Sequence, residues 1–385
     1  MTRRGISAFW ISVAGISALL LCGPNLFAQD SSSPKPTVRH AIAFEVSAPL
    51  RELAKLPPQP NYVLHASSPL RQSQRRSTGA VVDTVEQSAA GGGPDFSITG
   101  QFGGVGLGFK GFTSTFNYPD ANIAVGTTQI VQWVNNSYAV FDKSGNTLMF
   151  VPFGTIWTTG PCSQGSGYNP EGHPIAQWDR AAQQWLLAEN VVTGAPNNYS
   201  GYACIAVSTG PDATGTYYLY QFSLGSGYPD LAKWGIWSTS FFQSNDNFGS
   251  DSKTFMGAYE CAYDSAKMLM GSMSAEQLCF QLSPPDFALM PADIDPPAQP
   301  PAAEDEFLFS LWDSSDLALY SFHVDWTTMP PSGFITGGGG KQLFAVPAFT
   351  PACNGQYLGA CVPQKGIPSP PALDVLGDRL LYRVA

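Results

Sequence analysis

Charge is scarce in this chain. Only 12% of its 385 residues are Asp, Glu, Lys or Arg, with 19 basic against 29 acidic residues and a net charge of -10. An acidic chain with no basic stripe is a poor binder of nucleic acid, and that class of partner is set aside. Histidine is rarer still at four, and after residue 95 only His173 and His323 remain. Two isolated histidines do not make a zinc site. No Gly-x-Ser-x-Gly elbow is present either, which removes the usual serine-hydrolase arrangement. None of the seven cysteines is separated from another by only two to four residues, so thiolate-metal clusters are unsupported. Helical apolar spacing is nearly absent.

What is present begins with the first 30 residues, "MTRRGISAFWISVAGISALLLCGPNLFAQD". Arg3 and Arg4 form a basic stretch, Ile6 to Leu21 an apolar one, and Ala28 closes a cleavage pattern. The apolar run is short for a spanning helix, so residues 1–28 read as a signal peptide and the mature chain as secreted or held in the cell envelope. A lipid anchor at Cys22 is disfavoured because Leu21 stands where that motif wants Gly or Ala. No later run is long enough to cross a bilayer. Cleavage would remove Cys22 and leave six cysteines, an even number in an oxidising compartment, which points to disulfides.

Residues 29–94 carry "SSSPKPT", "KLPPQP", "RQSQRRSTG" and "SAAGGGP". This is linker composition, read as a disordered leader or pro-segment with one short helix in "APLRELAKL". From Asp95 onward the pattern is strands and turns: "QIVQWVNN", "YAVFD" and "TLMFVPF", then "PIAQWD", "QWLLAENVV", "YACIAVS" and "TYYLYQFSL". A third set follows, "KWGIWS", "SFFQSNDNF", "YECAYD" and "QLCFQLS", and a fourth, "FLFSLWD" and "LALYSFHVDW". Pro119, Pro174 and Pro229 fall 55 residues apart, and the apolar runs centred on Val131, Leu186 and Phe241 follow each at the same distance. Four short strands per period are how a β-propeller blade is written. The expected fold over residues 95–385 is therefore an all-β, incomplete propeller of about four blades and the start of a fifth at "LDVLGDRLLYRVA". On this reading the chain is a fragment of a longer protein.

Five phrases carry a resemblance: Pro119-Asp120-Ala121-Asn122-Ile123, Val131-Gln132-Trp133-Val134-Asn135, Gly172-His173-Pro174-Ile175, Phe322-His323-Val324-Asp325-Trp326, and Leu376-Gly377-Asp378-Arg379-Leu380-Leu381-Tyr382-Arg383. Together they resemble a family of secreted, mostly uncharacterised bacterial β-propeller proteins. That family's phrases are Pro-Asp-Thr-Asn-Gly, Val-Gln-x-Val-Asn, Gly-Asp-Pro-Ile, Phe-His-Val-Asp-Trp and Leu-Gly-Asp-Arg-Leu-x-Tyr-Arg. The likeness spans residues 95–385 and implies the fold and a chain that continues further, but no reaction. Ala121 and Ile123 depart from it, as does His173 where the family has Asp.

"GLGFKG", Gly106 to Gly111, matches a dinucleotide fingerprint in letters, but no helix follows to receive a pyrophosphate. A sialidase needs an arginine cluster, and after residue 95 the chain has Arg180, Arg379 and Arg383. Arg180 is read in the turn "DRAAQQ", away from any channel. Asp120, Asn122, His173, Asp230 and Asp378 sit at blade starts and are candidates to rim the channel mouth, the bland alternative for each aspartate being a turn cap. Asp120 and Asn122 are expected to form a structural turn. Asn245, Asp246, Asn247 and Asp251 in "QSNDNFGSD" are oxygen ligands of the kind calcium takes, without the fixed spacing of a calcium loop, so no cofactor or metal is expected. His323 is read as structural. Trp157, Tyr168, Trp234 and Trp237 are candidate sugar-stacking aromatics, with core packing as their alternative. Hairpin topology pairs Cys261 with Cys279, the short loop pairs Cys353 with Cys361, and Cys162 is left for Cys204. The function expected is a non-enzymatic binding or interaction module whose partner is a glycan or protein outside the cell. The alternative is a glycan-directed hydrolase or lyase using carboxylates at the blade starts.

Overall fold

The computed structural model describes residues 34–55, 121–134, 137–163, 170–294, 300–301, 304–337, 339–350, 377 and 379–380. Nineteen strands among them form four antiparallel sheets that follow one another along the chain. The first sheet is β3 (Asn122–Val125), β4 (Gln129–Val134), β5 (Ser137–Asp142) and β6 (Thr147–Pro152), in that order. The second is β7 (Pro170–Asp179), β8 (Gln184–Thr193), β9 (Ser200–Ser208) and β10 (Tyr217–Ser226). The third is β11 (Tyr228–Trp237), β12 (Ser240–Phe248), β13 (Phe255–Asp264) and β14 (Glu276–Gln281), with the short helix α2 (Ser265–Leu269) before its last strand. The fourth is β15 (Met290–Pro291), β16 (Glu306–Leu311) and β17 (Asp316–Asp325), whose far edge is shared by β18 (Ser332–Ile335) and β19 (Gln342–Ala345).

Side chains alternate across a strand, so a strand flanked by two sheets sends odd and even residues into different cores. In β8, Trp185 and Leu187 enter the core between the first and second sheets, while Leu186 and Ala188 enter the core between the second and third. In β12, Phe241 faces back to the second sheet and Phe242 forward to the fourth. The three large cores thus lie between consecutive sheets, and burial of each large apolar side chain contributes about 1.5–3 kcal/mol. The first strands of neighbouring sheets also touch: β3 against β7, β7 against β11, and β11 against β15. Contact is closest at Gly235, where a Cβ would overlap the Ala292 carbonyl oxygen.

The repeat differs from the one the prolines suggest. Non-glycine residues with positive φ occur at His173, Leu231 and Ala288, 58 and then 57 residues apart, near the start of three successive first strands. In β7 and β11 the ladder slips around these residues, at Gly172/Ile175 and Asp230/Lys233. Pro174 follows its bulge residue and Pro229 precedes its own, so the two are not equivalent. Pro119 lies outside the described residues. Phe241 is likewise out of phase with Val131 and Leu186, because a one-residue slip turns a side chain to the other face. Its neighbour Phe242 holds the matching place.

Other expectations are corrected over residues 37–53 and between the sheets. Residues 37–53, read as disordered, form β1 (Thr37–His40), β2 (Ala43–Val46) and α1 (Leu50–Leu53), the last inside the segment expected to be helical. β1 adds to the free edge of β14 and β2 to that of β10. Along this strap Val38 packs on the core of the third and fourth sheets, Phe44 on that of the second and third, and Leu50 enters that of the first and second. "NIAV", read as a turn, is β3, and the Pro-rich link before the fourth set hides β15. Of the phrase expected to begin a fifth unit only Gly377, Arg379 and Leu380 are described, and none of these is in a strand. Cys162–Cys204 and Cys261–Cys279 are bonded as the topology argument paired them, with Cys261 and Cys279 directly opposite on β13 and β14. Cys353 and Cys361 lie outside the described residues.

Candidate functional site

Two features form where the first strands meet, a chain of charged groups and a cleft. The bulge in β11 places Asp230 directly opposite Asp246 of β12. His173, on the neighbouring β7, brings Nε2 to 3.1 Å from Asp230 Oδ1, which also accepts the Leu231 amide at 2.7 Å. Asp246 accepts the Ala288 amide at 2.7 Å on Oδ1, and its Oδ2 lies 3.7 Å from Arg379 Nη1. The side chains of His173, Asp230, Asp246 and Arg379 are 18%, 10%, 2% and 8% exposed. Two acids between two basic groups, with backbone amides on their remaining lone pairs, make a mutually satisfied network. Positive φ at His173 belongs to the fold, since Leu231 and Ala288 share it without any polar group. Neither aspartate is thereby placed as a free acid or base.

Of the five residues expected at the mouth, the structure brings His173 and Asp230 together. Asp120 and Asp378 lie outside the described residues. Asn122 does not cap its own turn: its Oδ1 accepts the Ala176 amide at 2.8 Å, stitching β3 to β7. The residues weighed for calcium are spent on separate tasks. Asn245 accepts Asn190 Nδ2 at 2.7 Å, Asn247 donates to Gln281 at 2.7 Å, and Asp251 caps the turn at Lys253 and Thr254. Bonds from Thr254 hold the Asp251 carboxyl down to about 2. Among the described residues no three His, Cys, Asp or Glu side chains come together to hold a metal. His323 pairs with Asp305 at 2.8 Å and stacks on Phe334.

The cleft runs along β3, β7, β11 and β15 and encloses about 390 Å³. Asn122 to Val125, Ile175 to Trp178, Lys233, Trp234 and Met290 line it. So does Arg180, from the turn after β7 in which the sequence placed it. Trp178, half-buried, leans on Trp185 with ring centroids 4.8 Å apart. Of the other aromatics proposed, Trp157 is core, Trp237 meets Phe307 edge-on, Trp234 lines the cleft and Tyr168 lies outside the described residues. Gln177, Trp178 and Lys233 escaped sequence reasoning because their only signal, membership of a first strand, needs the strand order to mean anything.

Buried acids form a separate group between the third and fourth sheets. Burial pushes Glu260 well above the ordinary carboxyl range, opposed by a bond from Ser244 and reinforced by the charges of Asp246 and Asp286. Burial does the same to Glu306, opposed by the nearby Ala292 amide and reinforced by Asp293 and Glu260.

Together these features define, among the described residues, an all-β protein of four consecutive antiparallel sheets with two disulfides and a cleft where the first strands meet. No family model matches the chain, and no characterised protein is detectably similar to it in sequence.

Proposed function

We propose that this is a secreted β-propeller of the bacterial family its phrases resemble, exported through residues 1–28, and that it works as a non-enzymatic binding module whose ligand sits in the cleft. The four-strand period and the contact of successive first strands support the propeller, since blades meet around an axis through their innermost strands. Two disulfides and no described helix long and apolar enough to cross a membrane fit a chain outside the cell. The observation that carries the binding role is the cleft itself, which falls in the size range of small-ligand sites and mixes indole, aliphatic and a few polar groups. The carboxylates on which the hydrolase alternative depends either lie outside the described residues or, like Asp230, are already engaged.

A glycan array probed with the secreted chain tests this reading, followed by titration of any hit against Ile123→Arg. Ile123 is exposed on the cleft wall, so a long cation there blocks the site without disturbing a core. Binding lost in the variant with melting unchanged is the expected outcome. Hydrolysis of a hit by the native chain, abolished in Asp230→Asn, would replace the binding role with the enzymatic one.

A further inference from the structure

Consecutive sheets meet at seams that are polar in different ways. At the seam of the second and third sheets the buried polar groups are neutral and satisfy one another. Asn190, Gln243 and Asn245 bond among themselves at 2.7 to 3.2 Å, and Tyr263 donates to Gln243 at 2.5 Å. At the seam of the third and fourth sheets they are acids. Glu260 lies between Ala258 and Ala262 on β13, and Glu306 two residues before Leu308 on β16. Alternation therefore sends both side chains into the core that those neighbours share. Both are 0% exposed.

The other acids of this seam are provided for. Asp286 accepts the Tyr320 hydroxyl at 2.9 Å and Lys341 at 2.7 Å, and Asp293 accepts the Ile236 amide at 3.1 Å. Asp246 accepts the Ala288 amide and lies 3.7 Å from Arg379. Glu260 receives a bond from Ser244 at 2.8 Å, but its Oε2 has no partner among the described residues. Neither oxygen of Glu306 has one, and the nearby Ala292 amide bonds the Phe307 carbonyl at 2.9 Å instead. The charges that act on the two glutamates are negative: Asp246 and Asp286 on Glu260, Asp293 and Glu260 on Glu306. A carboxylate buried without a cation and with so few donors is costly, and a bound proton is what neutralises it.

We propose that this seam is a proton-dependent latch, which seats the fourth sheet while Glu260 and Glu306 are neutral and releases it when they ionise. Burial acts in the same direction, holding both carboxyls well above the ordinary range. The closed seam keeps protons that the opened one gives up, so rising pH favours opening. Ionising one acid also makes the other harder to ionise in place, since like charges repel strongly in a dry core. The fourth sheet is the one to move: it joins the described stack through this core, whereas the third is also held by the second. The latch does not depend on what the cleft binds.

Hydrogen exchange on the full chain, corrected for the intrinsic rate at each pH, reads the seam directly. From about pH 5 to about pH 9, protection in β16 and β17 should fall at least about tenfold, while β8 and β9 change less than about threefold. Glu260→Gln with Glu306→Gln should remove that pH dependence. Infrared spectra at neutral pH should show a protonated-carboxyl band that weakens in Glu306→Gln. Should the glutamines prevent folding, Glu306→Leu removes the ionisable group while keeping the core apolar. Equal protection at both pH values, or a loss spread evenly over all four sheets, overturns the latch. So does a pH dependence that survives the substitutions, or a native chain without the infrared band.

Discussion

The two middle sheets and the two outer ones are built from the same meander yet held in different ways. In the second and third sheets every strand of the meander except β14 runs nine or ten residues, each sheet contains a disulfide-bonded strand, and the strap closes each outer edge. In the first and fourth sheets most strands run two to six residues. Ile123, Val125 and Leu148 of the first and Leu343 of the fourth remain about half exposed. Sheets packed between two others can be apolar throughout, whereas the far face of the first sheet carries only the small buried cluster of Ile130, Ala139 and Phe141. Stability should therefore concentrate in the middle pair and along the strap, and four measurements would break or sharpen that contrast.

The largest effect is expected from Cys162→Ser with Cys204→Ser. The bond joins residues 42 apart, and loop-closure entropy for that span is worth about 4 kcal/mol. A denaturant midpoint that hardly moves would show that the second sheet does not rely on this bond.

Leu50→Ala comes next. Leu50 is 0% exposed and anchors the strap in the core of the first and second sheets, so its truncation should cost about 2–4 kcal/mol. Loss of amide protection at Val38 and Phe44 in the same variant would show that the strap acts as one unit; loss confined to the Leu50 region would show that it does not.

A pH titration of stability follows. Glu260 and Glu306 hold protons in the folded chain above the ordinary carboxyl value of 4.5. The unfolded chain releases its protons near that value, so it binds fewer than the folded one as pH rises, and stability falls from about pH 4.5 upward. Each acid contributes a slope of up to about 1.4 kcal/mol per pH unit within that window. Glu306→Gln should flatten the curve there and raise stability at pH 7. A curve unchanged by that substitution would remove Glu306 from the account.

The smallest effect belongs to Leu148→Ser on the first sheet. Its side chain is 47% exposed, and the change should stay within about 0.5 kcal/mol in a chemical melt. A loss like that of Leu50→Ala would mean that this face is covered in solution and that the contrast between middle and outer sheets is false.

Much of the architecture was legible. Strands β4 to β14, β16 and β17 all fall on alternating or continuous apolar runs, and the Cys261–Cys279 bond follows from hairpin topology, with Cys162–Cys204 reached by elimination. What escaped were short or proline-bearing strands. β15 is a Met-Pro pair and β3 four residues, too brief for periodicity to register, and β1 and β2 sit in a polar segment whose edge pairing no local pattern announces. The candidate site was legible only in part. His173 and Asp230 were chosen for their place at the blade starts and do meet, but in a satisfied pair.

By itself, then, the sequence determined the secondary structure class, the approximate repeat and the Cys261–Cys279 pair, because these depend on alternation and on neighbours in the chain. Tertiary structure alone decided which face each residue serves. Leu186 and Phe241, 55 residues apart, look equivalent in the chain but enter one core from opposite sides, since Gln184 and Ser240 open equivalent strands 56 residues apart and a one-residue difference reverses the face. It also decided that Arg180 and Lys233, separated by more than fifty residues, line one cleft with Gln177 and Trp234. Only the stacking of one first strand beside the next brings those four groups together.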